Sequence, residues 1–368
     1  MTSFLVKNKS KESYEQRIST EPITTQRCKL YAIKNFEHFV SETYDDRTTN
    51  DIIDELFILK TDNGQEFEDV LYDMLQEWIN WNEREGIHPS TIRVTFSNLR
   101  KYLFFRRIKT NEQDIREHLR FPKIPKEEKY PLSDDEYRMI VDGFSKSPLF
   151  QSICLALGAS GMRIGELMRV KKKDLDLSAQ RVRVKIPPHT KTRAGRTTFF
   201  TKEVMEKIKK RLEKINPDDY VFCMESPVSG ADNFRTAFRR LLNRLELDER
   251  YQSNNFFKIS PHSFRAYFFT KAARKHGDNY AHKMTGHGGY LMQYDRMTED
   301  EKMNMYIELE SDLVVYEQTK NKLKIEQLEE ENSSISQLRE EVRKLKEQQA
   351  KQDKKILAKL REDKTIPS

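Results

Sequence analysis

Residues 155–167 read LALGASGMRIGEL, an apolar run that leads through a glycine-containing turn to Arg163. The run is typical of a buried helix, so the turn that follows it would hold Arg163 close to a packed core. Glu166 comes three residues later, where one helical turn would bring its carboxylate beside the arginine. A single arginine is more often a surface ion-pair residue, but one that directly follows a buried glycine turn is a candidate for a functional role.

A second stretch of the same kind lies about one hundred residues later, at residues 261–270, PHSFRAYFFT. The three-residue spacing places His262 and Arg265 on one face of a helix, with phenylalanines available to pack behind them. Histidine and arginine at this spacing also occur as ordinary surface pairs. His287 follows in the sequence Thr-Gly-His, twenty-two residues after Arg265.

The segment between these two stretches predicts a basic β-hairpin. Residues 181–186 alternate charged and apolar side chains, as a half-exposed strand does, and residues 196–201 suit a returning strand. The intervening loop carries Lys191 and Arg193, and twelve Lys or Arg accompany three Glu between positions 181 and 214. Such a cluster indicates either a solvated basic surface or a contact with nucleic acid.

Taken in order, Arg163, the hairpin lysine, the His-x-x-Arg stretch, the Gly-His element and a later tyrosine resemble the tyrosine recombinases, or phage-type integrases. Residues 286–301, GHGGYLMQYDRMTEDE, are similar to a variant found in archaeal and archaeal-virus integrases. The family usually places its tyrosine about nine residues after the histidine, where this chain has Arg296. Tyr294 is therefore preferred as the nucleophile over Tyr290, with Tyr306 as the third candidate.

The resemblance implies a site that cuts a DNA phosphodiester with neither metal nor ATP as cofactor. Arginine binds phosphate oxygens through its planar fork, and lysine suits proton donation because its pKa is adjustable. Arg163, Arg265 and His287 would hold the scissile phosphate, Tyr294 would form a 3′-phosphotyrosyl bond, His262 would assist the proton transfer, and Lys191 would protonate the 5′ oxygen. Glu166 would support this set. Arg193 and Arg196 are the rival cations of Lys191 on the loop and would bind DNA.

The fold class predicted for the whole chain is mainly α with a small β-hairpin or sheet. Helical patterns run through the N-terminal part, three prolines in FPKIPKEEKYP indicate a linker, and Ser133 with Glu136 forms a capping-box signal for the next helix. The predicted parts are a 1–24 N-terminal extension, a 25–120 helical core-binding domain that clamps DNA, a 121–131 linker, a 132–316 tyrosine recombinase catalytic domain, and a 317–368 coiled-coil tail.

Two helical stripes are predicted in the N-terminal part. Residues 67–81 carry apolar side chains at three- and four-residue spacing, and a helix that starts at Pro89 continues the pattern to Phe105. The predicted stripes contain Val70, Leu71, Met74, Leu75, Trp78, Trp81, Val94, Phe96, Leu99, Tyr102 and Leu103. The basic and aromatic end of the second helix would either pack as core or contact a DNA backbone.

The tail from Thr319 to about Leu360 has an imperfect heptad pattern. Leu328, Ile335 and Val342 occupy one heptad position, and Leu338 and Leu345 occupy its partner, while polar residues interrupt both. A short coiled coil and a single solvated helix are both compatible with so few apolar seam positions. With the segment after the nucleophile (299–317), this tail is expected to dock on a neighbouring protomer, because tyrosine recombinases assemble on DNA.

Composition favours a polyanionic partner. The chain of 368 residues has a formal net charge of +7 and three cysteines in no metal-ligand pattern, which indicates reduced thiols, two of them in the core. The N-terminus lacks the apolar stretch of a signal peptide, and no run suits a membrane span. Together with these features, the resemblance to tyrosine recombinases implies double-stranded DNA as the partner, a tetrameric homo-oligomer on that DNA and a cytoplasmic, nucleoid-associated location.

Two other functions remain compatible with the sequence. A type IB topoisomerase would use the same nucleophilic chemistry to relax supercoils without joining two sites. A DNA-binding protein of mobile-element origin could carry the same basic surface and coiled coil after its cleavage site had decayed. A size that includes a separate helical domain mildly favours a site-specific recombinase over the topoisomerase. The complete set of candidate residues argues against a decayed cleavage site.

Overall fold

The structure is a computed structural model, and it describes residues 9–187, 195–286 and 296–362. The chain folds as two compact units, Met1–Glu127 and Glu128–Ser368, which we call unit 1 and unit 2. The predicted domain boundaries remain predictions, but each unit has its own hydrophobic core.

Unit 1 is helical throughout its regular elements. Its helices are α1 (Lys11–Ile18), α2 (Ile23–Thr43), α3 (Thr49–Asp62), α4 (Gly64–Arg84), α5 (Pro89–Phe105) and α6 (Glu112–His118). Helix α5 begins at Pro89, as predicted, because proline at the first helical position needs no backbone hydrogen bond. Helix α1 lies within the predicted N-terminal extension, yet its Tyr14 and Ile18 pack into the core of the unit.

The core of unit 1 forms around Trp78 in α4. Its ring is fully buried, and its indole nitrogen donates to Asn35 Oδ1 at 2.9 Å, so the polar edge of the ring is satisfied. Most of the two predicted stripes are buried, but Val70 and Val94 are exposed. The predicted place of these two valines on the buried stripes is wrong. The buried face of each helix is narrower than a three- and four-residue periodicity alone implies. At the basic end of α5, Tyr102 is core whereas Phe104 is exposed.

Unit 2 combines helices with one small sheet, which confirms the predicted fold class. Its helices are α7 (Asp134–Gly143), α8 (Pro148–Ser160), α9 (Ile164–Leu167), α10 (Lys202–Leu212), α11 (Pro227–Arg244), α12 (Pro261–His276), α13 (Asp278–Thr285), α14 (Glu299–Leu313) and α15 (Glu317–Glu362). Its strands are β1 (Leu175–Asp176), β2 (Val182–Ile186) and β3 (Arg196–Phe200), and a 3₁₀ turn covers Lys172–Asp174. The capping box predicted from Ser133 and Glu136 starts α7.

The sheet is antiparallel in the order β1-β2-β3. Strands β2 and β3 are the predicted hairpin, with Val184 opposite Thr198. The short strand β1 was not predicted, since two residues are too few to show an alternating pattern. The buried side of the sheet packs on α8, which is buried from Gln151 to Ser160, so the chain around Arg163 and the start of β3 are held on one core.

The C-terminal part of unit 2 is tied to its core by two buried carboxylates. Glu310 in α14 pairs with Arg181 and accepts from the backbone nitrogen of Lys202 at 2.8 Å. Glu203 in α10 accepts from the backbone nitrogens of Val315 and Tyr316, each at 2.9 Å. Helix α14 therefore packs inside its own unit, and docking of the 299–317 segment on a neighbouring protomer remains a prediction.

The cysteines and the tail match their predictions. Cys154 and Cys223 are buried while Cys28 is exposed, and all three are free thiols, as predicted. Residues 317–362 form one helix, so the predicted tail is helical. Within the described ranges, no helix combines the length and apolar character that crossing a membrane requires.

Candidate active site

Arg163 is held by the carboxylate of Glu166, as their spacing predicts. The backbone nitrogen of Arg163 donates to Glu166 Oε2 and its guanidinium Nη1 donates to Oε1, both at 2.9 Å. The arginine side chain keeps 27% of its surface exposed, whereas that of Glu166 keeps 5%. A buried carboxylate thus fixes a guanidinium that still reaches the surface.

The same carboxylate also binds Arg196, the first residue of β3. Arg196 Nη2 donates to Glu166 Oε2 at 2.6 Å, Nη1 donates to Oε1 at 3.3 Å, and Nε donates to the carbonyl of Met284 at 3.1 Å. The Arg196 side chain is only 7% exposed. This environment does not match the predicted DNA contact, because the guanidinium is buried and already bound to protein atoms. Arg196 was predicted among the loop cations, whereas it belongs to the packing beneath the site.

Glu166 stays ionised in this position. Burial alone would raise its pKa, but the hydrogen bond and charge of Arg196, together with the hydrogen bonds of Arg163, lower it below the ordinary value. The two arginines that share this carboxylate come from separate parts of the chain. An ionised Glu166 is therefore the electrostatic link between the turn before α9 and the start of β3.

Arg265 on α12 links the two candidate stretches directly. Its Nη1 donates to the carbonyl of Gly161 and its Nη2 donates to the carbonyl of Thr285, each at 2.5 Å. Gly161 lies two residues before Arg163, and Thr285 lies two residues before His287. The side chain is almost wholly buried, and burial together with the charge of Arg163 lowers its pKa to about 10. Arg265 remains a cation at neutral pH and joins the ends of α8 and α13.

His262 lies near both of these guanidinium groups. It is exposed at the start of α12, one helical turn before Arg265. Desolvation of the imidazole, followed by the positive charges of Arg265 and Arg163, lowers its pKa below the ordinary value. The structure thus brings Arg163, His262 and Arg265 into one electrostatic neighbourhood, and it favours a neutral imidazole there.

Two glycines in the left-handed region shape this neighbourhood. Gly161 ends α8 with φ of 61°, and a Cβ at this position would lie 2.5 Å from Phe268 Cδ1. Gly286 ends α13 with φ of 69°, and a Cβ there would lie 2.9 Å from Arg196 Cδ. Both positions therefore require glycine for the backbone turn and for the close approach of a neighbouring side chain. Gly286 accordingly stands at the end of a helix.

Tyr306, the third candidate nucleophile, has a structural role. Its ring is fully buried, and its hydroxyl donates to the carbonyl of Ala159 at 2.8 Å. Burial raises the pKa of the phenol well above its ordinary value. A hydroxyl that is buried and hydrogen-bonded to the backbone cannot attack a substrate without unfolding α14 from the core.

The other predicted site residues are not placed by the structure. Lys191, Arg193, His287, Tyr290 and Tyr294 lie outside the described residues. Their flanks are described, however: Ile186 and Arg196 border the hairpin loop, and Gly286 and Arg296 border the tyrosine segment. A Cβ added at Gly286 would meet the Arg196 side chain, so Gly286 itself lies beside the pair of Arg196 and Glu166.

A basic groove of about 800 Å³ extends from His262 across α11 and the loop before α12. Arg235 and Arg239 lie on one face of α11, and Arg250 stacks over the Phe257 ring with 4.0 Å between its guanidinium carbon and the ring centroid. Within the described ranges, no carboxylate pairs with Arg239 or Arg250. The groove was not predicted from the sequence, although arginines four residues apart in FRTAFRRLLNR indicate a basic helix face.

Among the described residues, the charges of Arg265 and Arg163 act on His262, and those of Arg163, Glu166 and Arg196 act on Arg265. This arrangement suits the binding of a phosphate, since arginine presents paired donors to paired oxygens. Across the ranges that the structure describes, no group of three or more His, Cys, Asp or Glu side chains is arranged to hold a metal ion.

Comparison with known sequences agrees with this geometry. Residues 131–298 match the model of the phage integrase family. The chain is 27% identical over 176 residues to a probable integrase/recombinase of Aquifex aeolicus (strain VF5), covering 41% of this chain and 55% of that protein. It is 26% identical over 190 residues to the tyrosine recombinase XerA of Thermococcus onnurineus (strain NA1), covering 51% of this chain and 62% of that protein. The chain thus spans little more than half the length of these relatives.

Solved structures show a similar fold at low sequence identity. A lambda integrase fragment, crystallised as a dimer on a COC′ core site, has a TM-score of 0.53 at 16% identity and covers 78% of this chain and 97% of that one. The XerH site-specific recombinase, bound to a palindromic difH substrate, has a TM-score of 0.51 at 16% identity and covers 80% of this chain and 82% of that one. Residues 131–298 are therefore similar in sequence to the phage integrase family, and the chain shares the fold of these integrase and recombinase structures.

Proposed function

We propose that this chain is a site-specific DNA recombinase or integrase that cuts and rejoins strands through a 3′-phosphotyrosyl intermediate. The observation that carries the proposal is that Arg163, before α9, lies close enough to His262 and Arg265 on α12 for their charges to influence one another. Arg265 bonds the backbone just before Arg163 and just before His287, so the fold itself joins the segments that carry the proposed site.

The phosphate would be held by the two arginines. Arg163 is oriented by Glu166 and partly exposed, so its free donors are available to a non-bridging oxygen. Arg265 supplies a second positive charge immediately behind it. Cations that are fixed before the reaction stabilise the additional charge of a pentavalent transition state without reorganisation, which is the larger part of catalysis at such sites. His287 would complete the phosphate contacts.

The proton transfers would be divided between His262 and Lys191. A lowered pKa keeps the His262 imidazole neutral at physiological pH, as accepting the proton of the attacking tyrosine requires. Tyr294 would attack the phosphorus in line, forming the bond to the 3′ phosphate as the bond to the 5′ oxygen breaks. Lys191 would give a proton to that 5′ oxygen. Since the phosphotyrosyl bond preserves the phosphodiester energy, a new 5′ hydroxyl can reverse the step without ATP.

The DNA next to the scissile phosphate would follow the basic groove. Arg239 and Arg250 lie along it without carboxylate partners among the described residues, so their charge is available to backbone phosphates. Contacts of this type position a duplex without reading its sequence. Arg193, on the hairpin loop, would add a further phosphate contact, whereas Arg196 would act by holding Glu166.

The assembly and location follow from the reaction. The related structures include a lambda integrase dimer on a core site and a tetramer on a Holliday junction. An exchange between two duplexes needs four strand cuts, so a tetramer of this chain on double-stranded DNA is the corresponding assembly. It would act inside the cell, in the cytoplasm, where the DNA is.

Covalent capture tests the proposal and finds the target sequence in the same experiment. The full-length protein is incubated with a pool of nicked duplexes of randomised sequence. Cleavage near the nick releases a short fragment that carries the 5′ hydroxyl, and its loss prevents religation. We expect recovery of a protein–DNA adduct enriched in one sequence, and peptide mapping that places the link on Tyr294. Joining of two such duplexes, rather than relaxation of a supercoiled plasmid alone, distinguishes a recombinase from a topoisomerase.

Two phenylalanine variants provide the matched comparison. Tyr294→Phe should retain DNA binding and lose the adduct, whereas Tyr290→Phe should keep it. An adduct on Tyr290 would overturn the choice of nucleophile but keep the class of enzyme. Absence of any tyrosine adduct, with DNA binding intact, would leave a DNA-binding protein without cleavage activity and refute the proposal.

A further inference from the structure

Helix α15 carries an apolar stripe that nothing in its own chain covers, as far as the described residues extend. Leu328, Ile335, Leu338, Val342 and Leu345 recur at alternating three- and four-residue intervals, with Leu328 one heptad before Ile335. Each of these side chains is 46–62% exposed, and the described part of the chain provides no cover for them. A helix of 46 residues with an uncovered apolar seam is stable in water mainly when a partner helix buries that seam.

The residues in the seam favour two parallel helices. In the heptad convention, Leu328, Ile335 and Val342 occupy position a, and Leu338 and Leu345 occupy position d, while Glu331 interrupts the d series. In parallel coiled coils, β-branched residues at position a with leucine at position d favour two strands, because these side chains pack best at those positions of a two-stranded coil. The same sequence therefore indicates both the number of helices and the kind of partner, a second copy of this chain.

The charges beside the seam also favour a parallel orientation of the two helices. Glu341 occupies position g and Lys346 occupies position e of the following heptad, which face each other across a parallel pair in register. Two copies would thus form this attractive contact twice. An antiparallel pair would instead bring e positions together, and both Arg339 and Lys346 are cations at e. Only the parallel arrangement pairs opposite charges.

The base of α15 is fixed to the catalytic unit. Leu323 is buried, and the connection that precedes the helix is held where Glu203 accepts from the backbone nitrogens of Val315 and Tyr316. The apolar stripe begins five residues beyond Leu323. A partner bound to the stripe would therefore be connected to unit 2 through a continuous helix rather than through a flexible linker.

We propose that residues 328–345 form a parallel, two-stranded coiled coil that joins two copies of this chain in the absence of DNA. This goes beyond the proposed strand-transfer chemistry, which needs neither the tail nor a preformed dimer. It also assigns a contact different from docking of α14, since α14 is occupied within its own unit. Protomers would then reach DNA already paired.

Sedimentation equilibrium of the full-length protein without DNA tests the pairing. We expect a mass twice the 43.8 kDa of the chain at micromolar concentration. Leu338→Asp should raise the dimer dissociation constant by about tenfold or more, because it places a charge in the seam. Gln337→Asp adds the same charge one residue away, outside the seam, and should leave the mass unchanged. A monomer at these concentrations, or a dimer that Leu338→Asp does not weaken, would overturn the proposal.

Charge exchange tests the orientation. Glu341→Lys and Lys346→Glu should each raise the dissociation constant roughly threefold or more, and the double variant should restore it, since the attraction returns with its sign exchanged. Lys344→Glu, at an outward-facing position of the same helix, is the matched control for charge. If Lys346→Glu alone strengthens the dimer, the helices are antiparallel and the proposed arrangement is wrong. Because DNA is absent from every measurement, a failure of the cleavage assay would not affect the outcome.

Discussion

Replacing Glu166 by glutamine tests how the candidate site is held together. The carboxylate receives two hydrogen bonds from Arg163 and two from Arg196, and its side chain and that of Arg196 are both less than a tenth exposed. An amide would leave the Arg196 charge buried without a counter-charge and would turn an NH₂ group toward a guanidinium. Removal of one partner from a buried pair costs roughly 3–5 kcal/mol, so the Glu166→Gln variant should lose about this much unfolding free energy.

The two units allow this loss to be assigned to unit 2. Both tryptophans of the chain, Trp78 and Trp81, lie in unit 1, so tryptophan fluorescence follows unit 1 alone during urea denaturation. Far-UV circular dichroism follows the helices of both units. We expect Glu166→Gln to move the unit 2 transition to lower urea concentration and to leave the fluorescence transition where it is in the parent protein.

An exposed ion pair provides the control for the loss of a charge. Asp232 pairs with Arg235 on the surface of α11 at 2.7 Å, and such a pair contributes about 0–1 kcal/mol. Asp232→Asn should therefore barely move either transition. If Glu166→Gln lowers the free energy of unfolding by no more than Asp232→Asn does, the buried carboxylate is not the structural link that its contacts imply.

The effect of Glu166 should also depend on pH. Its pKa in the folded state lies below the ordinary value of 4.5, so its contribution to stability is complete above that value. The contribution is lost as the pH falls through the folded-state pKa, because protonation removes the charge that pairs with Arg163 and Arg196. The difference in stability between the parent and Glu166→Gln should therefore shrink on acidification. A difference that grows toward low pH would contradict the assigned direction of the shift.

Three further predictions concern single residues of the site. The pKa of His262, measured by NMR titration of the imidazole, should rise by about half a unit or more in Arg163→Met, because a positive charge that disfavours the imidazolium is removed; an unchanged or lower pKa would place the arginine away from the ring. Tyr306→Phe should lose about 1–2 kcal/mol of stability, since the carbonyl of Ala159 loses its donor, yet should still form the DNA adduct in the capture assay. Gly161→Ala should lose about 1–3 kcal/mol in urea denaturation, because alanine is strained at φ of 61° and its Cβ meets a phenylalanine ring; a neutral outcome would mean that this turn relaxes freely.

Much of the local structure could be predicted from sequence because it depends on short-range signals. The capping box of Ser133 with Glu136, the helix start at Pro89 and the β2–β3 hairpin all follow from residues within a few positions of one another. The pairing of Arg163 with Glu166 is of the same kind, since one helical turn brings the two side chains together.

What could not be predicted depends on contacts between distant residues. Arg196 is thirty positions from Glu166, and nothing in the loop sequence distinguishes a buried partner of a carboxylate from a phosphate contact. The hydrogen bonds of Arg265 to the carbonyls of Gly161 and Thr285 involve backbone atoms, which carry no sequence signal at all. The burial of α14 within its own unit likewise depends on Glu310 finding Arg181 across the fold. Periodicity shows which face of a helix is apolar but not what covers it.

In the proposed reaction, Arg163 and Arg265 neutralise charge on one scissile phosphate. A duplex captured from the randomised pool can be remade with a methylphosphonate at the cleaved position, which removes the negative charge of one non-bridging oxygen. If Arg163 acts on that charge, Arg163→Ala should slow cleavage of the phosphodiester far more than cleavage of the methylphosphonate, with the penalty reduced by about tenfold or more. An equal penalty on both substrates would show that Arg163 does not meet the phosphate, and would contradict the account.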